Sequence, residues 1–437
     1  FNEISQKVTD GFKSVFPELS VSLNIMSGPM SIEPDKIIKS GSGLIVKDGE
    51  LETSLSQQGT GARRALFWAM LQVHNQLERE SEIRRGYRKG LIDEKEALDK
   101  ETKKKGTKSD RLQEIGLRIE EISALVKHFD DGGSIPQDKE DPALPGYLLL
   151  IDEPENALHP LAAKAAQRHL YNLAENPDWQ VIMTTHSPYF INPFEDHTTI
   201  VRLDRSYQDN KDILVKTYRS DNVDFEADEK QRLQALQLID PSFSEIFFGS
   251  FPILVEGDTE HAAFLAAIVK ENNELLDKIT IIRARGKSIL LPIIKVMNHF
   301  KINFSIVHDC DSPFKRNGHN NGMWTENKKI RDAIQEARGN GLTVRHRISI
   351  PDFERFLGGD EESKDKPFNA FIKIQTNETL KSNVQDLLHD LLTGESHDCF
   401  PPEKLSEKEY LDVLLEDITE WASKNNLNND VRFFGSL

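Results

Sequence analysis

Pairs of acidic side chains follow three apolar runs in the second half of the sequence. The runs are 253–255, 304–307 and 344–350, and the acidic pairs are Glu256 with Glu260, Asp309 with Asp311, and Asp352 with Glu354. Short apolar runs of this kind are typical of buried strands, and the carboxyl ends of parallel strands meet at one edge of a sheet. We therefore expect the six carboxylates to lie close together.

Carboxylates gathered at one edge repel one another unless a cation neutralises them. Mg²⁺ or Mn²⁺ suits such a site, because both ions prefer oxygen ligands. Two ions about 4 Å apart can activate a water molecule and stabilise the leaving oxygen of a phosphodiester. Lys366 follows the last acidic pair and is a candidate for neutralising the phosphate. Polar strand ends and helix caps explain any single pair, but three equivalent pairs favour a metal site.

A second set of polar residues lies in the first half of the chain. The apolar run 147–151 ends in Asp152 and Glu153, and the run 181–184 is followed two residues later by His186. An aspartate at such a strand end can hold Mg²⁺ through water, and the adjacent glutamate can polarise water for attack on a γ-phosphate. Upstream, Ser56, Gln58, Gly59 and Gly61 precede a predicted helix, whose free amides suit phosphate binding.

This ordered set resembles the ABC-type ATPases of the SMC and RecF group. The resemblance implies that Ser56, Gln58, Gly59 and Gly61 form the signature motif and contact a nucleotide held by a partner subunit. It also implies that Asp152 is the Walker B carboxylate, Glu153 the catalytic base and His186 the switch histidine.

The glutamate after the run 253–255 and the Asp-x-Asp at 309–311 resemble the Toprim domain of primases, topoisomerases and OLD (overcoming lysogenization defect) nucleases. An ABC-type ATPase followed by a Toprim domain is the OLD arrangement. The resemblance implies ATP use, metal-dependent cleavage of DNA, and a role in defence against phage or in DNA processing. It assigns catalysis to Glu256, Asp309, Asp311, Lys366 and, in the ATPase part, Glu153. It also implies at least a dimer, with a helicase or another defence protein as a further partner.

The phosphate loop of such ATPases has the pattern G-x-x-x-x-G-K-[ST], which this sequence lacks. Gly286-Lys287-Ser288 fits only the end of the pattern, because Ile281 stands where the first glycine is required. The chain begins at Phe1 rather than at methionine, so we expect an upstream segment to supply the loop.

The periodicity of apolar residues predicts an α/β chain with a helical insertion. Expected helices cover 1–19, 61–84, 160–174, 260–270, 288–299 and 327–338, and expected strands cover 21–26, 44–46, 147–151, 181–184, 199–203, 253–255, 280–283, 304–307 and 344–350. The predicted domains are the ATPase part over 1–76 and 146–225, a helical insertion over 77–145, a helical linker over 226–250, and the Toprim domain over 251–437. The insertion is either a solvated hairpin, a dimerisation arm, or a phosphate-binding arm using Arg84, Arg85 and Lys103 to Lys105.

The amino-acid composition limits the classes of protein to which the chain can belong. The 437 residues carry 55 basic and 72 acidic side chains, a net charge of −17, which by itself argues against nucleic acid as a partner. Residues 251–437 have an excess of six acids, the number of predicted metal ligands, so acidity does not exclude a nuclease. Two cysteines, no long apolar run and no signal-like start predict a cytoplasmic protein without a membrane partner.

Two alternatives remain open. One is a nucleotide-gated clamp or sensor that binds DNA or a partner protein, with an inactive Toprim site. The other is an ABC-type DNA-repair ATPase. A zinc-dependent primase is excluded, because two distant cysteines do not form a zinc site.

Overall fold

The computed structural model describes residues 2–16, 19–25, 42–103, 108–133, 146–205, 213–226, 228–249, 251–269, 279–358 and 365–435. Within these ranges helices and strands alternate along much of the chain, so the predicted α/β class is confirmed. The chain divides into two compact units, Phe1–Thr185 and His186–Leu437.

The first unit begins with a helix and an antiparallel sheet. The elements are α1 (Asn2–Lys13), β1 (Leu19–Ile25), β2 (Ser42–Asp48) and β3 (Leu51–Ser54), with the strand order β1-β2-β3. Val8, Phe12 and Val15 are buried at helical spacing, and the Thr9 hydroxyl donates a hydrogen bond to the Val21 carbonyl (2.9 Å). The apolar face of α1 therefore covers the sheet, as its periodicity predicted.

Two long helices, α2 (Thr60–Thr102) and α3 (Ser109–Asp130), pack as a hairpin. A small core of Leu91, Ile122 and Phe129 holds them together, and Arg118 bridges to Glu94. Gly86, Gly90 and Gly116 lie at exposed positions inside these helices, although a glycine costs a helix roughly 1 kcal/mol relative to alanine. Of the candidate phosphate contacts, Lys104 and Lys105 lie outside the described residues.

A strand–helix–strand unit follows the hairpin. It consists of β4 (Tyr147–Asp152), α4 (Pro160–Glu175) and β5 (Trp179–Thr184), with β4 and β5 parallel. His159 caps α4 through its ring nitrogen, and Pro160 occupies the first helical position, where its missing amide costs nothing. The predicted strands 147–151 and 181–184 and the predicted helix 160–174 are therefore confirmed.

The predicted strand 199–203 is observed, but it belongs to a different sheet. The segment 199–203 lies in β6 (Thr199–Arg205), which pairs with β7 (Ile213–Arg219) as a separate antiparallel sheet in the second unit. The apolar pattern identified a strand correctly, but pattern alone does not specify which neighbour a strand pairs with.

A four-stranded parallel sheet forms the centre of the second unit, with the order β11-β10-β8-β9. The strands are β8 (Ile253–Val255), β9 (Ile281–Arg283), β10 (Phe304–Asp309) and β11 (Val344–Ser349), and the helices are α5 (Glu229–Ile239), α6 (Asp258–Ile268), α7 (Lys287–His299), α8 (Gly322–Gly339), α9 (Phe353–Phe356), α10 (Lys366–Thr376), α11 (Glu378–Thr393), α12 (Pro402–Glu407), α13 (Tyr410–Lys424) and α14 (Val431–Phe434). β8 is buried throughout, as expected for a parallel strand covered on both faces.

The predicted linker packs as part of this unit. Leu233, Phe243 and Phe247 belong to the same buried cluster as Leu254 and Phe304 of the sheet. The compact unit thus begins at residue 186, whereas the boundary at residue 251 stays a prediction about the Toprim domain. Among the described helices, none has the length and apolar character needed to cross a membrane.

The hairpin core provides a test of the packing. We predict that Ile122→Ala destabilises the pairing of α2 and α3 by about 2–5 kcal/mol, because Ile122 is fully buried and its removal leaves a cavity. Faster hydrogen exchange of the α3 amides measures this loss. Leu117→Ala is the matched control, since Leu117 is exposed on the same helix. Equal exchange in the two variants would contradict the packing described.

Candidate metal centre and nucleotide-binding region

The carboxyl ends of three parallel strands bring the predicted acidic residues together. Val255 at the end of β8 is in register with Val307 of β10, and Asp309 at the end of β10 is in register with Ser349 of β11. Glu256 follows β8 directly, and Asp352 begins the turn into α9. The acidic side chains therefore emerge at one edge of the sheet, as the sequence predicted.

Hydrogen bonds link these strand ends to one another. The Asp309 amide donates to Glu256 Oε2 (3.1 Å), and the Phe353 amide donates to Asp309 Oδ1 (2.8 Å). Within α6, Glu260 Oε2 accepts from the Gly257 amide (3.2 Å). Asp309 thus lies between Glu256 and the start of α9, so it is the central carboxylate of the cluster.

Burial and mutual repulsion change the proton affinities of this cluster. Burial is the largest cause that raises the pKa of Glu256 and of Glu260, each to about 7, and the neighbouring carboxylates add to it. The pKa of Asp309 is raised well above its usual range by burial and then by Glu256, Glu260, Glu354 and Asp352. Without a compensating cation, the cluster retains protons at pH values where isolated carboxyls have lost them.

Two basic residues contact the last acidic pair. Lys366 Nζ lies 3.1 Å from Glu354 Oε1, and Arg355 pairs with Asp352. Burial opposes the charge of Lys366, but the hydrogen bond and attraction of Glu354 prevail and raise its pKa. The predicted position of Lys366 beside the cluster is thus observed, whereas Arg355 was missed. The sequence feature that could have identified Arg355 is its position three residues after Asp352.

Lys287 is a second residue that motif matching missed. Its side chain is only 1 % exposed, and its ammonium group lies 2.7 Å from Asp311 Oδ2. It also donates to the backbone carbonyls of Asp309 (2.6 Å) and Cys310 (3.2 Å). The sequence feature that could have identified Lys287 is the Gly-Lys pair after β9, at the same edge of the sheet. That pair matches only the end of the phosphate-loop pattern.

The donor set fits hard divalent cations. All six predicted ligands offer carboxylate oxygens, and the pKa values of Glu256, Glu260, Asp309 and Asp352 are raised, first of all by burial. A divalent ion would offset the repulsion that otherwise favours protonation. These residues therefore suit Mg²⁺ or Mn²⁺.

Among the described residues, the group of three potential ligands whose atoms all lie within 4.8 Å of one another is a different one, His346 with Asp398 and Cys399, and the sheet-edge carboxylates are not gathered as tightly. Asp398 pairs with Arg331 and Arg338, just as Asp311, Asp352 and Glu354 at the sheet edge pair with basic groups. The two sites differ in their donors: mixed sulfur, nitrogen and oxygen atoms suit Mg²⁺ less well than an all-carboxylate set.

The predicted nucleotide-binding residues of the first unit also approach one another. The Thr184 hydroxyl donates to the Asp152 carboxylate, and the Arg64 guanidinium donates to the Glu153 carbonyl (3.2 Å). Gly61 is buried against the loop after β4, where an added Cβ would lie 2.4 Å from the Ala157 carbonyl oxygen. The start of α2 and the Asp-Glu strand end are thus in direct contact.

The remaining signature residues lie just before α2. Ser56 is in the single helical turn 55–57, and its hydroxyl contacts the Ser54 hydroxyl (2.8 Å). The side-chain amide of Gln58 donates to the Thr53 hydroxyl. Gly59 is the residue that precedes the first turn of α2. His186 opens the second unit, directly after Thr185.

Comparison with known proteins gives two family-model matches. Residues 247–311 match the model described as Overcoming lysogenization defect protein-like, TOPRIM domain, and residues 140–192 match the AAA domain of the putative AbiEii toxin, Type IV TA system. The first match contains Glu256, Glu260, Asp309 and Asp311, and the second contains Asp152, Glu153 and His186. Asp352, Glu354 and Lys366 lie beyond the first match, so their assignment depends on the geometry above.

Two curated relatives are similar over much of the chain. The Old nuclease of Escherichia phage P2 is 24 % identical over 396 residues, covering 88 % of this chain and 54 % of the relative. The OLD nuclease of Thermus scotoductus is 27 % identical over 240 residues, covering 52 % and 44 %. The chain therefore spans about half the length of each relative. The resemblance to the OLD arrangement of an ATPase part followed by a Toprim domain is confirmed.

The raised pKa values predict an unusual dependence of stability on pH. The folded-state pKa of about 7 for Glu256 and Glu260 lies above the usual 4.5, so their protonation stabilises the fold fully below pH 4.5. This contribution is lost as the pH rises through 7. We expect the melting temperature of the metal-free protein to fall between pH 5.5 and 8, and added Mg²⁺ to reverse the fall.

The control is the double variant Glu256→Gln, Glu260→Gln, which removes both titrating groups. Its melting temperature should depend less on pH than that of the wild-type chain, and Mg²⁺ should restore less of it. Parallel pH profiles for the two proteins would contradict the assignment.

The contact of Gly61 with the loop after β4 predicts a position-specific effect. Gly61→Ala should lower the melting temperature of the first unit, because the added methyl group overlaps the Ala157 carbonyl oxygen and the Leu158 side chain. Gly59→Ala is the matched control, since an added Cβ there has no neighbour within 4 Å. A smaller effect at Gly61 than at Gly59 would be inconsistent with this contact.

Proposed function

We propose that this chain is part of an OLD-type DNA endonuclease whose second unit cleaves phosphodiester bonds with divalent metal ions. The observation that carries the proposal is the cluster of carboxylates at the edge of the parallel sheet, in which Glu260 is buried and the others are half-buried. The similarity to two proteins named as Old or OLD nucleases supports the same reaction class.

The proposed metal ligands are the six carboxylates at that edge. They are Glu256, Glu260, Asp309, Asp311, Asp352 and Glu354. When bound, two Mg²⁺ or Mn²⁺ ions would supply an activated water and would stabilise charge on the leaving oxygen. The ions would also offset the negative charge of the cluster, which allows the DNA backbone to approach an acidic protein.

The protein groups have separate parts in this mechanism. Glu256 and Asp309, which are joined by a backbone hydrogen bond, hold the centre of the metal site. Lys366 pairs with Glu354, so its ammonium group is positioned to interact with a phosphate oxygen of the DNA. Asp311 and Lys366 are further residues on which cleavage should depend.

We infer an ATPase role for the first unit. Asp152 would hold Mg²⁺ through water and Glu153 would polarise the attacking water, while His186 would sense the γ-phosphate. Ser56, Gln58, Gly59 and Gly61 would contact a nucleotide held by a second copy of the protein, so the smallest active assembly would be a dimer. ATP binding would also need a phosphate loop, which this sequence does not contain.

The proposed biological setting is defence against phage or DNA processing, with DNA as substrate and a helicase or another defence protein as partner. The complete set of six carboxylates argues against a clamp with an inactive Toprim site. The family-model match over residues 247–311 likewise argues against a simple repair ATPase.

Plasmid nicking tests the proposed activity. Glu256→Ala and Asp309→Ala should each reduce Mg²⁺- or Mn²⁺-dependent nicking of supercoiled plasmid by at least 100-fold, on the scale expected for removing groups that act together. Asp332→Ala is the control, because Asp332 is an exposed acid on α8 that pairs with the surface residue Lys328. Undiminished cleavage by both site variants would refute the assignment.

A further inference from the structure

A buried lysine lies behind the proposed metal site. Lys287 is the first residue of α7, and its neighbour Gly286 has φ 141°, a backbone conformation that favours glycine. This turn directs the lysine side chain under the sheet edge. Its ammonium contacts three consecutive residues, Asp309, Cys310 and Asp311.

The three contacts use the full donor capacity of the ammonium group. A lysine has three N–H donors, and here they meet the Asp309 carbonyl at 2.6 Å, the Cys310 carbonyl at 3.2 Å and Asp311 Oδ2 at 2.7 Å. With 1 % of the side chain exposed, no donor is directed to solvent where DNA would lie. Lys287 is therefore unsuited to binding a phosphate and suited to holding protein groups.

The segment that it holds has a strained backbone. Asp311 has φ 62°, in the left-handed region that a residue other than glycine seldom adopts. The amides of Cys310 and Asp311 donate to Ser349 and Pro351 on the neighbouring chain segment (2.8 and 2.9 Å). Lys287 binds the opposite, oxygen-bearing side of the same segment, so the two sets of contacts together fix its conformation.

We propose that Lys287 is a positioning residue that fixes the conformation of Asp309–Asp311 and directs Asp311 as a one-oxygen metal ligand. The proposal rests on the proposed metal-dependent function and extends it to a residue outside the ligand set. Lys287 holds Asp311 Oδ2, which leaves Oδ1 for a metal ion.

Positioning and simple neutralisation predict opposite changes in metal affinity. If Lys287 only neutralised the cluster, its removal would leave more negative charge and Mn²⁺ would bind more tightly. If Lys287 positions the segment, its removal leaves the Asp309 carbonyl and the Asp311 carboxylate without this donor, and Mn²⁺ would bind more weakly. Loss of a residue that holds a metal ligand without binding the metal itself typically weakens metal affinity by about 10–100-fold.

The experiment compares Mn²⁺ binding, followed by electron paramagnetic resonance of the free ion, in the wild-type chain and two variants. Lys287→Met removes all donors, whereas Lys287→Gln keeps an amide donor without the charge. We expect Mn²⁺ affinity to fall at least 10-fold in Lys287→Met and by a smaller factor in Lys287→Gln. For plasmid nicking, kcat should fall in the same order while KM for DNA changes less than two-fold.

Lys295→Met is the matched control, because Lys295 lies on the same helix and bridges Glu229 (2.8 Å) and the Asp224 carbonyl (2.9 Å) away from the metal site. Its Mn²⁺ affinity should equal that of the wild type. Circular dichroism reports folding in every variant. If Lys287→Met does not fold, the Mn²⁺ affinity of Lys287→Gln tests the proposal.

Unchanged or tighter Mn²⁺ binding in a folded Lys287 variant would overturn the positioning role while leaving the nuclease proposal intact. Identical behaviour of the Met and Gln variants would also overturn it, since only the hydrogen-bond donors distinguish them. A wild-type chain that binds no Mn²⁺ would overturn the proposed function itself and, with it, this inference.

Discussion

Repulsion among buried carboxylates at one sheet edge is the interaction on which the second unit depends. In a medium of low polarity, like charges only a few ångströms apart are costly, so the cluster requires protons, cations or fixed basic groups. Protons and fixed basic groups both have a place in this structure, and cations are the proposed third. The pKa of Glu256 and of Glu260 is about 7, so both carboxyls retain their protons below that pH. Lys287, Arg355 and Lys366 each contact one or more of the acids.

The sequence was sufficient to predict this edge because its signals are local. A short apolar run followed by acids predicts a buried strand and its polar end, and parallel strands align their ends without further information. Glu256, Asp309 and Asp352 were therefore predicted to be neighbours and lie together. Their separation and protonation depend on burial, which no local pattern specifies.

Other features could not be predicted in this way. Lys287 lies at the sheet edge because a glycine turn after β9 directs it there, and a motif search cannot distinguish such a turn from a failed phosphate loop. The strand 199–203 was found, but its partner β7 was not, because pairing depends on the whole tertiary fold. Likewise the packing of residues 228–249 against the parallel sheet depends on buried contacts such as Phe247 with Phe300.

The continuity of α2 has a mechanical consequence. The helix begins at Gly59 and Gly61, the glycines of the proposed signature motif, in contact with the loop after Asp152 and Glu153, and runs for 43 residues into the hairpin. At 1.5 Å per residue it is a rod of about 65 Å, so a tilt of about 5° at its base displaces its far end by about 6 Å. A small rearrangement at the proposed nucleotide site would thus become a larger movement at the far end of α2.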